Sequence, residues 1–115
     1  MKNADCWGGL SWDEALTKIS DLNVGAATCD GYTGTDRDWR LPNRFELQSL
    51  IDYSRGNPAL PASHPFSGVQ SNYYWLSTTW AGSTGSAWII HLEDGHGSSR
   101  DKTYTNYVWP VRGGQ

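Results

Sequence analysis

The chain has 115 residues and a net charge of −3, enough for one domain over residues 1–115 and too short for two comfortable ones. Leu, Ile, Val and Phe number only 19, a supply that would signal disorder at high net charge, but 7 Trp and 6 Tyr exclude that class. With 9 Lys+Arg against 12 Asp+Glu there is no general cationic field for nucleic acid, and no apolar run reaches the roughly 20 residues that insertion across a membrane requires.

From the N-terminus, Met1-Lys2-Asn3-Ala4-Asp5 shows no apolar core of a signal peptide, so an exported domain takes its signal from outside this sequence. The two cysteines are too few for a disulfide scaffold or a structural zinc site. Cys6 and Cys29 either form one bridge or remain two buried thiols. A bridge would close a loop of about 22 residues, contribute roughly 3 kcal/mol on the chain-entropy view, and require an oxidising compartment.

Ser11-Trp12-Asp13-Glu14 is a capping box, and Trp12, Ala15, Leu16, Ile19 and Leu22 behind it follow the spacing of one apolar helix stripe that stops at Asn23 and Gly25. A loop over residues 28–38 follows. Asn43-Arg44-Phe45-Glu46 opens a second helix with Asn43 as its cap; Leu47, Leu50 and Ile51 form its stripe, and Gly56-Asn57-Pro58 ends it. Residues 57–72 and 81–86 read as loops, long for so small a chain and therefore candidates for function.

Strands are predicted over residues 73–78, 87–93 and 106–112. In the second, Trp88, Ile90 and Leu92 alternate with Ile89, His91 and Glu93, predicting one buried face. Asp94-Gly95 predicts a two-residue hairpin turn into a return strand from His96, and Pro110 restricts the last strand to an edge or bulge. The order gives an α+β fold: two short helices packed on a twisted antiparallel sheet with long loops.

Candidate sites follow from chemistry. In Asp38-Trp39-Arg40-Leu41-Pro42-Asn43, Pro42 fixes the chain before the cap, Trp39 packs below the sheet, and Arg40 satisfies carbonyls or pairs with an acid such as Asp38, a structural reading that also covers Leu41, Glu46 and Arg112. Trp12, Trp39, Trp75, Trp88 and Trp109 fall on helix or strand patterns and read as core, replacing missing aliphatics. Trp7 has no assignment. Trp80 opens the loop Ala81-Gly82-Ser83-Thr84-Gly85 and is the candidate ligand contact, with Tyr73, Tyr104 and Tyr107 as companions, because exposed rings beside Ser, Thr and Asn make adaptable recognition surfaces. The predicted hairpin places His91, Glu93 and His96 on one face, a donor set for a transition metal, though an ordinary polar face is the more common outcome. Asp30, Asp36 and Asp38 could donate oxygens to calcium, without the spacing of an EF-hand loop. No nucleophile-elbow or His-Glu-x-x-His pattern is present, which predicts no enzyme and no resident cofactor beyond possible calcium.

Asp38-Trp39-Arg40-Leu41-Pro42-Asn43 with Glu46-Leu47 resembles the signature of the domain of unknown function 1566 family, similar to the C-terminal domain of the Legionella collagen-like adhesin. Ser11-Trp12-Asp13-Glu14-Ala15, Tyr74-Trp75-Leu76-Ser77-Thr78, Ala87-Trp88 through Asp94-Gly95, and Val108-Trp109-Pro110-Val111-Arg112 resemble its other motifs, in the same order. The resemblance implies a C-type-lectin-like fold and an extracytoplasmic part of a larger surface or secreted protein. It implies recognition of a surface glycan or protein through loops around 61–72 and 79–86, or alternatively a homotrimeric tip of a fibre, pilus or stalk. The net charge departs from polyanion binding, and neither Glu-Pro-Asn nor Trp-Asn-Asp, the calcium motifs of sugar-binding C-type lectins, occurs. The formylglycine-generating oxidases share an Arg-Leu-Pro…Glu string but rely on late cysteines, whereas both cysteines here precede it.

Overall fold

A computed structural model describes residues 3–112 except Asp30, Gly31, Thr33, Thr35, Asp36, Asn57, Ala62, Ser63 and Pro65. In chain order the elements are α1 (Trp12–Asn23), β1 (Trp39–Arg40), α2 (Arg44–Gln48), β2 (Tyr73–Thr79), β3 (Ser86–His91), β4 (Gly97–Asp101) and β5 (Val111–Arg112). The fold is α+β with antiparallel sheets.

Helix α1 starts at the predicted capping box, with the Glu14 amide donating to Ser11 Oγ and the Ser11 amide to Glu14 Oε1. Ala15, Ile19 and Leu22 are buried, whereas Leu16, expected in the same stripe, is 39% exposed. It lies about 100° round the helix from Ala15, outside the row that meets the sheet. Asn23 does more than stop the helix. Its side chain donates to the Trp39 carbonyl and accepts from the Trp39 amide, both at 2.8 Å, as a neighbouring strand would. The Cys6–Cys29 disulfide is formed, and Trp7 Nε1 donates to the Thr28 carbonyl beside it at 2.8 Å.

The second helix is shorter than its apolar spacing predicts. After Gln48 the Ser49 hydroxyl donates to the Glu46 carbonyl at 2.6 Å, and Leu50 and Ile51 continue in tighter i to i+3 turns, half-buried. The expected strand over 106–112 is also mostly absent. Only Val111 and Arg112 form a strand, and their partner is β1, giving a two-stranded sheet that the sequence reading did not foresee. Asn106 and Tyr107 instead make isolated bridges to Leu10 and Tyr74.

The main sheet has the order β2-β3-β4. Its β3 strand is buried on both faces, contrary to the alternation expected of it. Ala87 and Ile89 join Trp75 and the α1 residues in one core, while Ile90 and Leu92 join Tyr74, Leu76, Leu47 and Trp109 in a second. The hairpin is also longer than two residues. His91 pairs with His96, and Leu92 to Gly95 form the loop, because Leu92 is fully buried and its backbone bonds Ala59 and Asn72 instead of a strand partner. Gly95 seals this loop at φ +87°, with no room for a side chain: a Cβ there would lie 2.5 Å from Ile51 Cγ2.

Gly95→Ala should therefore destabilise the fold by about 2 kcal/mol, the sum of a positive-φ penalty and overpacking. Urea unfolding that leaves the midpoint unchanged would contradict this account of the hairpin.

Candidate functional site

The region that builds the surface begins at β1. The Arg40 guanidinium grips the Glu46 carboxylate with both arms, Nη1 to Oε1 at 2.6 Å and Nη2 to Oε2 at 2.5 Å. The acid partner of Arg40 is thus Glu46, where Asp38 was the example expected, and Nη1 also reaches the Leu41 carbonyl at 3.4 Å. The same Oε1 accepts the Asn43 amide at 2.8 Å, while Asn43 Oδ1 accepts the Glu46 amide, so one carboxylate serves an ion pair and a capping box together. Hydrogen bonds from Arg40, offset in part by burial, hold the Glu46 carboxyl below the usual glutamate range. Leu41 and Pro42 between them are buried, and the Pro42 carbonyl accepts the Ser77 amide of β2 at 2.9 Å.

This arrangement turns Leu47 inward and leaves its predecessors outside. Phe45 is 72% exposed, and the Arg44 guanidinium carbon stands 5.4 Å from its ring centre and 5.6 Å from that of Trp88. Asn43, Arg44, Phe45, Thr78 and Trp88 line an open groove of about 380 Å³. Trp88, expected in the core, is only half-buried and forms one wall of that groove. Trp75 and Trp109 are fully buried and Trp39 nearly so. Sequence reasoning missed Arg44 and Phe45. The signal was present, since Phe45 falls outside the apolar stripe of its own helix.

Trp80 is 37% exposed and its ring lies over the backbone of Gly82, so the loop and the ring hold one another. Its amide, just past the end of β2 and two residues after Thr78 of the groove, donates to the Ser86 carbonyl. The tyrosine companions lie elsewhere. Tyr73 begins β2, about 20 Å from its far end by strand rise. The Arg100 guanidinium carbon lies over the ring of Tyr73, at 4.6 Å, and over that of Tyr104, at 4.8 Å. Tyr107 is half-buried against Tyr74, whose phenol donates to the Ala4 carbonyl and is pushed by burial above its ordinary range.

Of the proposed calcium ligands, Asp30 and Asp36 lie outside the described residues, and Asp38 accepts from Arg112 Nε at 3.1 Å. His91, Glu93 and His96 do come together, although the pairing is displaced by two residues from the predicted hairpin. The two imidazoles stack at 5.4 Å, His91 Nε2 is 3.5 Å from Glu93, and His96 Nδ1 is 2.5 Å from Asp94. His91 Nδ1 is turned to the Glu93 amide, and among the described residues no group of three or more His, Cys, Asp or Glu is arranged to hold a metal ion. No helix among the described residues is long and apolar enough to cross a membrane.

Residues 1–112 match the family described as the Lcl C-terminal domain, the C-terminal domain of a Legionella collagen-like protein. No curated protein matches the sequence.

The Glu46 network carries a pH signature. Its depressed carboxyl contributes stability that is complete above the unfolded value near pH 4.5 and is lost as pH falls through the folded value. Glu46→Gln should cost about 1–2 kcal/mol at pH 7 and progressively less in acid, where the native carboxyl is protonated too. A stability difference between the two proteins that stays constant from neutral to acid pH would remove Glu46 from this role.

Proposed function

Taking as premise that the chain belongs to the Lcl C-terminal domain family, we propose that it is a non-catalytic recognition or adhesion module of an extracytoplasmic protein, binding a surface glycan or protein. The observation that carries this reading is that large aromatic side chains stay accessible: Trp80 at its loop, and Phe45 of α2 with the half-buried Trp88 along the groove. An aromatic-poor exterior is the norm for a monomer, and rings held by a rigid sheet provide contact area at little entropic cost. The disulfide supports an oxidising location. The likeness to domain of unknown function 1566 proteins and to C-type-lectin-like folds belongs to the same proposal. It is supported by the ordered motifs and by two helices flanking an antiparallel sheet.

A second reading, a trimerising tip or assembly domain, is favoured by one observation. Leu16 and Val24 leave apolar surface on the outward side of α1 and its C-terminal cap, 39% and 73% exposed. Light scattering distinguishes the readings. The recognition module is expected to be a monomer at micromolar concentration, and a stable trimer would favour the tip.

Binding itself is tested on a broad array of immobilised glycans and surface proteins. Retention should fall about tenfold or more on Trp80→Ala, as loss of one central aromatic contact does. An array empty across all classes would end the recognition reading.

A further inference from the structure

The groove beside α2 has a composition that restricts its ligand further than the family does. Arg44 has no ion pair among the described residues, although Arg40, Arg55 and Arg112 each take a carboxylate of the chain. It rests instead on the faces of Phe45 and Trp88. A guanidinium in that position keeps its charge and an outward edge of its donor fork for an incoming anion. Phe45, at 72% exposure, offers ring surface that the fold does not use. Thr78 adds a hydroxyl, and Asn43, whose Oδ1 is occupied by the cap, retains an amide donor. The volume of about 380 Å³ lies at the small end of ligand sites.

We propose that this groove is a binding site for a carboxylated pyranose, a single acidic sugar residue within a glycan. The apolar C–H face of such a ring matches the exposed ring of Phe45, its planar carboxylate matches the planar fork of Arg44 held over Trp88, and its remaining hydroxyls match Thr78 and the Asn43 amide. The single cation of the groove lining, on a chain of net charge −3, balances one carboxylate and opposes a densely charged polymer. A purely apolar acid would leave Thr78 and Asn43 unmatched. The proposal rests on the recognition reading and narrows it to a chemical class and to residues of α2 and the sheet.

The test is an amide and indole NMR titration of the intact domain with methyl β-D-glucuronide, in parallel with methyl β-D-glucoside, its 6-sulfate and 3-phenylpropionate. Shifts should concentrate at Arg44, Phe45, Thr78 and the Trp88 indole, with the neutral glucoside at least tenfold weaker. Arg44→Ala and Phe45→Ala should each weaken the glucuronide about tenfold, while Arg55→Ala, another exposed arginine, leaves it unchanged. Both groove variants remove exposed side chains, and their spectra report folding directly. Equal affinity for the glucoside, tighter binding of the sulfate or of phenylpropionate, or no groove shifts at about ten times a millimolar Kd would each overturn the proposal. Array binding that persists without groove shifts discards the acidic-sugar site while sparing the recognition reading. An empty array together with a silent titration discards both.

Discussion

The carboxylate of Glu46 is the constraint on which most of this structure turns. A single side chain closes the Arg40 fork and caps α2, so β1, the buried Leu41-Pro42 link and the helix start form one rigid corner. That corner is tied in three directions: to α1 through Asn23, to β5 through the Trp39–Arg112 and Arg40–Val111 pairs, and to β2 through the Pro42 carbonyl. An ion pair of this kind has little net worth on an open surface. Here both partners are largely covered and every short bond converges on backbone that must be positioned anyway, so geometry is what it supplies. The orientation of α2 follows, and with it the division between Leu47 inside and Arg44 with Phe45 outside.

Tryptophan takes over two tasks that aliphatics cannot combine. Trp75 fills the first core and donates to the Leu10 carbonyl at 2.8 Å, while Trp12 covers the sheet and donates to the Leu76 carbonyl at 3.0 Å. Each ring thus fills volume and holds a distant backbone segment in a defined direction, which a leucine of similar area could not do. A chain with 19 Leu, Ile, Val and Phe residues can therefore support two separate cores, one on either face of a three-stranded sheet.

What was legible in the sequence was local. Capping boxes at Ser11 and Asn43 depend on atoms within three residues of one another, and both helices begin where they should. The strands β2 and β3 were visible because β-branched and aromatic residues cluster there. What was not legible depends on partners far along the chain. The β1–β5 pair joins residues whose proximity no period announces, and the double burial of β3 arises only because α1 and the Leu47 side of α2 settle on opposite faces. The hairpin register departs from its local signal for a similar reason, since burial of Leu92 outweighs the turn preference of Asp94-Gly95. At the candidate site, the exposure of Trp80 was legible from its loop, whereas the packing of Arg44 over Phe45 and Trp88 depends on β3 standing beside α2.

The pairing of β1 with β5 also has a kinetic side. Trp39 and Arg40 precede their strand partners, Arg112 and Val111, by about 70 residues. The pairing of Ala4 with Ser67 and of Leu10 with Asn106 delays the N-terminal segment in the same way. Contacts so distant in sequence must meet their loop-closure cost before they return any stability, which slows folding. The two-stranded sheet therefore closes only when both ends of the domain have been brought together, after the local helices and the β2-β3-β4 sheet can already have formed.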